Sequence, residues 1–175
     1  MTTAPSPVPS SSAAFTLVEL LVAIAIVAIL LGLAAPSFQS FVLDARITSE
    51  AQKILLALQT ARSEASRINA SVLLCASAGN SVCGTDWKAN KLVFADVDKN
   101  KVRGTAETLV FSGAPAAAAT TITVTPSAGW IEFNSSGQAN AAVTFKLCDT
   151  RTGNVGRLVS VELTGRPSLT TTTCP

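Results

Sequence analysis

Three hydrophobic textures follow one another along the chain. From Phe15 to Pro36, FTLVELLVAIAIVAILLGLAAP, apolar residues occupy every side of a helical wheel, and only Glu19 carries a charge. From Phe38 the pattern becomes one-sided. Phe38, Phe41, Val42 and Ala45, then Ala51, Ile54, Leu55, Leu58, Ala61, Ala65 and Ile68 recur at helical spacing, with Asp44, Arg46, Glu50, Lys53, Arg62, Glu64 and Arg67 mainly between them. This predicts one long helix whose second half lies on a core and stops at Asn69. Beyond Ser71 the texture is that of strands. Segments 72–76, 91–96, 107–112, 121–125, 130–134, 141–148 and 157–164 are short, rich in β-branched and aromatic residues, and separated by Gly, Asn, Pro or Ser. Seven strands after one helix predict an α+β domain with an antiparallel sheet, or a pair of sheets, covering the helix. The Ala-rich stretch 113–120 reads as a mobile loop, with a short helix as the alternative.

At ~1.5 Å per residue, the roughly 21 apolar residues before Pro36 reach about 30 Å, the thickness of a bilayer core. A charged, unpaired carboxylate in such a helix costs about 2.5 to 3.5 kcal/mol, so Glu19 calls for a partner. A secretory signal peptide fits less well, because its apolar core is only about 7 to 15 residues long and the segment Met1 to Ala14 has no Lys or Arg. A plain anchor explains the length and leaves Glu19 without a role. The Pro- and Ser-rich first fourteen residues have nothing to bury and read as disordered.

Composition narrows the chemistry. Of 175 residues, 139 lie beyond the apolar segment that ends at Pro36, enough for one small domain. A net charge of +2 and a pI near 8.4 are too mild to imply nucleic acid or an anionic surface as partner. The chain has no His, which excludes His-based acid-base chemistry and His-ligated metals. No nucleophile elbow, Walker loop or dinucleotide fingerprint is present, so the chain reads as a non-enzyme without a cofactor. Cys75, Cys83, Cys148 and Cys174 allow three pairings; the preferred one joins Cys75 to Cys83 and Cys148 to Cys174, and the absence of any C-x-x-C pair disfavours zinc. Asp96-Val97-Asp98-Lys99-Asn100 with Glu107 has the oxygen spacing of a calcium loop, but the sixth position is Lys101 instead of Gly and strands flank it. It reads as a polar turn, and no metal is assigned.

The stretch Ala14-Phe15-Thr16-Leu17-Val18-Glu19-Leu20 resembles the processing site of type IV pilins and type II secretion pseudopilins, where a short polar leader is removed before a Phe and a Glu lies four residues beyond. The resemblance implies that a prepilin peptidase cuts between Ala14 and Phe15 and methylates the new amine. It also implies that the apolar helix stays as anchor and filament core, and that Pro36 marks a bend. Two departures stand out: the residue before the cut is usually Gly and here is Ala14, and the leader is usually basic and here is neutral. Pairing of Glu19 with the Phe15 amine of a neighbouring subunit gives the carboxylate a physical role, since removing either partner leaves a buried charge unpaired.

The rest of the chain extends the likeness. The helix end Ala61 to Ala65, a Cys-bearing first strand, Trp87 before Leu92 to Asp96, the unit Trp130 to Gly137, and Thr144 to Cys148 followed by Val161 to Arg166 and Cys174 look like the GspH/FimT family. This implies a pilin-like fold in three parts: a cleaved leader 1–14, a transmembrane and assembly helix 15–36, and a periplasmic domain 37–175. It further implies a single-pass protein of the bacterial inner membrane with other pilins or pseudopilins, the peptidase and an inner-membrane assembly platform as partners. The leading expectation is a minor pseudopilin near the tip of a type II secretion pseudopilus that helps to initiate assembly. The alternative is a minor pilin of a type IV pilus, with DNA binding as a further option. For DNA, Gly165-Arg166-Pro167-Ser168 keeps part of the G-R-x-R element of FimT-type receptors, and Arg151, Arg157 and Lys146 are additional candidate phosphate contacts, offset by Asp149 and Glu162.

Overall fold

The computed structural model describes residues 15–79 and 81–175, apart from the side chains of 33–37. The leader with Ala14 and the Pro36 side chain, where a bend was expected, lie outside the described residues. A single helix, α1 (Leu17–Ile68), runs through both units into which the chain divides, 1–41 and 42–175.

In the first unit every large apolar side chain described is more than half exposed, from Leu17 at 74% to Phe41 at 69%. Among the described residues no helix is long and apolar enough to cross a membrane; the described apolar side chains run to residue 32. In the second unit α1 buries Ile47, Ala51, Ile54, Leu58, Ala61 and Ala65, a seam spaced alternately by four and three, with Ala57 beside it. Four of these seven are Ala, which lets the helix approach the sheets closely. Two sequence expectations are corrected here. Phe38, Phe41 and Ala45 are exposed, because the core formed with the two sheets takes up helix residues only from Ile47 onward. Glu50, assigned to the solvent face, is 7% exposed and is held by Lys53 at 2.8 Å. Helix α1 ends where Asn69 turns left-handed (φ 52°), and the Ala70 N–H donates to the Ala65 carbonyl at 3.2 Å in a Schellman-type cap.

Eight strands follow: β1 (Val72–Ser77), β2 (Asn90–Ala95), β3 (Leu109–Gly113), β4 (Thr121–Thr125), β5 (Trp130–Phe133), β6 (Val143–Cys148), β7 (Gly153–Val161) and β8 (Pro167–Cys174). They form two antiparallel four-stranded sheets, ordered β3-β2-β1-β5 and β4-β6-β7-β8. β8 exceeds the seven strands expected. Its sequence PSLTTTTC lacks apolar alternation because it is an edge strand paired only to β7, a place that also tolerates the opening proline. β7 starts at Gly153 instead of Arg157, since a bulge between Gly153 and Gly156 carries the strand through two glycines that read as a turn. The stretch 113–120 contains no helix; the Ala116 N–H donates to the Lys88 carbonyl at 2.8 Å.

The α1 seam packs against Val72, Leu74 and Val93 of the first sheet and against Phe145, Leu147, Val159 and Val161 of the second. Trp87 is buried there, edge-on to Phe145 at 4.7 Å, with its Nε1–H donating to the Ala128 carbonyl at 2.7 Å. The other face of the first sheet has its own small core of Leu73, Cys75, Leu92 and Phe94, closed by Cys83 and Trp130.

Candidate functional site

The helix start carries the residues expected to act in assembly. Thr16 precedes the first helical residue, and its hydroxyl accepts the Glu19 N–H at 3.2 Å, so Thr16 is the N-cap and Glu19 the third helical residue. A carboxylate there also faces the positive end of the helix dipole. Both Glu19 and Phe15 are exposed, with the uncovered apolar run directly after them. The pattern Thr16-x-x-Glu19 is the local sequence signal of this cap, one that sequence reasoning did not use.

The disulfides join Cys75 to Cys83 (S–S 2.08 Å) and Cys148 to Cys174 (2.00 Å), the preferred pairing. The second ties edge strand β8 to β6. Gly156 is obligatory beside it, because a Cβ there would stand 2.6 Å from the Cys174 sulfur.

The candidate DNA contacts divide. Arg151 donates through Nε and Nη2 to both Asp149 oxygens at 2.7 to 3.2 Å and through Nη2 to Asp44 at 2.9 Å. Hydrogen bonds from Arg151 hold the Asp149 carboxyl below the usual carboxylate range. Arg157 donates to the Thr48 hydroxyl at 3.1 Å and to the carbonyls of Val155 and Gly156. Both arginines therefore fasten the helix to the second sheet. Arg166 lies elsewhere, in a cleft of about 540 Å³ lined by Gln59, Arg62, Ser63, Ser66 and Pro167. Beside Ser66 and Arg62 two turns meet. Gly137 (φ 72°) and Gly165 (φ 73°) meet so closely that a Cβ on Gly165 would fall 1.8 Å from the Gly137 carbonyl oxygen, and one on Gly137 would crowd Ser66 and Arg62. Sequence reasoning put Arg62 on a solvated helix face and did not join it to Arg166. Arg67, by contrast, stays on the exposed face with Glu64, at 2.6 Å.

A half-bare helix, a two-sheet domain packed on its other half and a capped Glu in the first turn define a pilin-type structural subunit. The sequence matches the family model of type II transport protein GspH over residues 50–165 and that of the prokaryotic N-terminal methylation motif over 9–35. The chain belongs to the GspH family, whose members are minor pseudopilins and minor pilins of type II secretion systems or type IV pili. Among solved structures, the type IV minor pilin FimU of Pseudomonas aeruginosa is 20% identical, with TM-score 0.57 over 71% of this chain and 87% of FimU. The minor pseudopilin EpsH from the type 2 secretion system of Vibrio cholerae is 11% identical, with TM-score 0.54 over 72% of this chain and 97% of EpsH. These likenesses establish the fold. No curated protein matches the sequence.

Proposed function

We propose that the chain is a minor pseudopilin of a type II secretion system, anchored in the inner membrane by the helix that begins at Phe15. The observation that carries this reading is the contrast within α1: the domain covers its own half of the helix, while the apolar run after Glu19 has no cover of its own. A bilayer covers such a run before assembly, and the helices of other pseudopilins cover it afterwards. Cleavage after Ala14 by a prepilin peptidase frees the Phe15 amine. In the filament that cation meets the Glu19 carboxylate of a neighbouring subunit, which orients the incoming helix as it leaves the assembly platform. Its place is near the pseudopilus tip, where assembly starts.

Replacing Glu19 by Ala tests the mechanism. Insertion and disulfide formation should be unchanged, since the domain core starts at Ile47. Crosslinks to other pseudopilins and protein secretion should fall at least tenfold. Wild-type levels of both would remove Glu19 from the mechanism. Intact mass of the membrane-extracted protein reads out processing in the same samples: a chain starting at methylated Phe15 is expected, and one that retains Met1 contradicts the proposed cleavage.

A second reading, a DNA-binding minor pilin, draws on the shared cleft of Arg62 and Arg166. Two arginines give a shallow salt dependence, since each phosphate neutralised contributes a slope of roughly one. A low-salt gel shift that Arg166→Ala abolishes would favour it over secretion.

A further inference from the structure

The loop that closes the outer face of the first sheet runs from Asp96, directly after β2, to Glu107, just before β3. It is latched to the neighbouring disulfide loop by a Val82–Val102 bridge and by the Arg103 N–H donating to the Ser81 carbonyl at 2.7 Å. Three carboxylates meet in it. One oxygen each from Asp96, Asp98 and Glu107 lies within 4.8 Å of the other two. Calcium binds oxygen at about 2.3 to 2.6 Å, and three oxygens no farther than 4.8 Å from one another have a common point within about 2.8 Å of each, so a small side-chain adjustment lets a single ion reach all three.

Most oxygens of this cluster already accept one hydrogen bond. Glu107 takes the N–H groups of Val97 (2.8 Å) and Gly104 (2.9 Å), Asp98 takes the backbone and side-chain amides of Asn100, and Asp96 Oδ2 takes the Lys101 N–H at 3.3 Å. Asp96 Oδ1 is different. It is buried in a residue only 4% exposed and has no hydrogen-bond partner. A buried carboxylate oxygen left unmatched beside two further carboxylates is costly, and a cation relieves both the desolvation and the repulsion. Lys101 does not supply that cation: its Nζ stands 4.0 Å above the Trp130 ring.

The conformation of Lys101 removes one of the two sequence objections to a calcium loop; the flanking strands β2 and β3 remain and make it a strand-to-strand loop. The sixth position of a D-x-D-x-N loop favours Gly because the chain turns left-handed there, and Lys101 adopts that turn, with φ 63°. An all-oxygen, triply anionic ligand set suits a hard cation over zinc or copper. We propose that Asp96, Asp98 and Glu107 bind one calcium ion, which pins the 96–107 loop over the Leu73–Phe94 face. The site is independent of the secretion reading and of the helix start. Three protein carboxylates on a surface loop place the affinity with extracellular calcium modules, at a Kd of about 0.1 to 1 mM.

The test is a thermal melt of the full chain in detergent, followed by Trp fluorescence at pH 7 after dialysis against a chelator. Calcium chloride at 10 mM should raise Tm by about 5 to 10 °C over a sodium chloride control of equal ionic strength, and magnesium chloride by less than half as much. Asp98→Asn, at an exposed position, should keep the calcium-free Tm within about 2 °C and lose the calcium shift. Asp96→Asn should lose the shift too, while raising the calcium-free Tm by removing a buried charge. A wild-type Tm unchanged by calcium would overturn the proposal. A shift that survives in both variants would overturn it equally, because the ion would then sit elsewhere.

Discussion

The two halves of α1 are built from similar apolar residues and meet opposite fates. Around Ile24 and Leu30 the side chains are more than half exposed, whereas Ile54 and Leu58 are fully buried. Hydrophobicity does not separate them, because the exposed half is the more apolar of the two. What separates them is the period. A stripe one side wide, Ile47 to Ala65, matches one pair of sheets, while residues apolar on every side from Leu17 to Leu31 can be satisfied only by surroundings on every side. The proposed function gives the first half to lipid and other helices, while the second is covered by its own domain. Damage to the second half should appear as lost folding, and damage to the first as lost assembly.

The largest expected effect on folding comes from Gly165→Ala. A Cβ there falls 1.8 Å from a backbone carbonyl and sits at a φ of 73°. Left-handed strain and overpacking together should remove roughly 3 to 5 kcal/mol, read as a lower urea midpoint for the domain. A loss below 1 kcal/mol would mean that the two turns separate easily and that the cleft between α1 and Arg166 is not fixed. The disulfides come next and can be ranked. Chain entropy assigns about 3.5 kcal/mol to the 26-residue Cys148–Cys174 closure and about 2.5 kcal/mol to the 8-residue Cys75–Cys83 closure. Paired Ser variants measured by denaturation should keep that order; the reverse order would give the small outer core under Cys83 more weight than the geometry allots it.

The smallest effect is a pH dependence at the fastening of α1 to the second sheet. Asp149 has its pKa depressed by Arg151, so its contribution is present above the ordinary value near 3.8 and is lost as pH falls through the lower folded value. Asp149→Asn should flatten the acid limb of the stability curve below about pH 4 and lower stability at pH 7 by about 1 kcal/mol or less. An acid limb unchanged in the variant would assign that limb to other carboxylates. None of these changes should alter membrane insertion, which the proposed function assigns to the other half.

Much of this division was legible in the sequence, and the exceptions have physical causes. The helix, its stop at Asn69 and most of the seam followed from the 3.6-residue period. The seam was placed too early, at Phe38 and Phe41, because a helical pattern says nothing about how far a sheet reaches. Glu50 looked solvent-facing because its charge was read without Lys53. β8 was missed because four successive Thr on an edge strand carry no alternation. The meeting of Gly137 with Gly165, and hence of Arg62 with Arg166, is tertiary and has no local signature. At the Asp96 loop the expected Gly was absent from the sixth position, while the backbone turn it stands for was kept by Lys101.

The central claim, that the bare half of α1 is an assembly surface and the covered half is not, is tested most directly by site-specific photocrosslinking in secreting cells. A photoreactive residue replaces Ile24 in one strain and Ile54 in another. The account predicts that the Ile24 probe captures other pseudopilins in mature-sized adducts, and that the buried Ile54 probe yields only internal links within this chain. Adducts with lipid alone at Ile24, in cells that secrete normally, would contradict it.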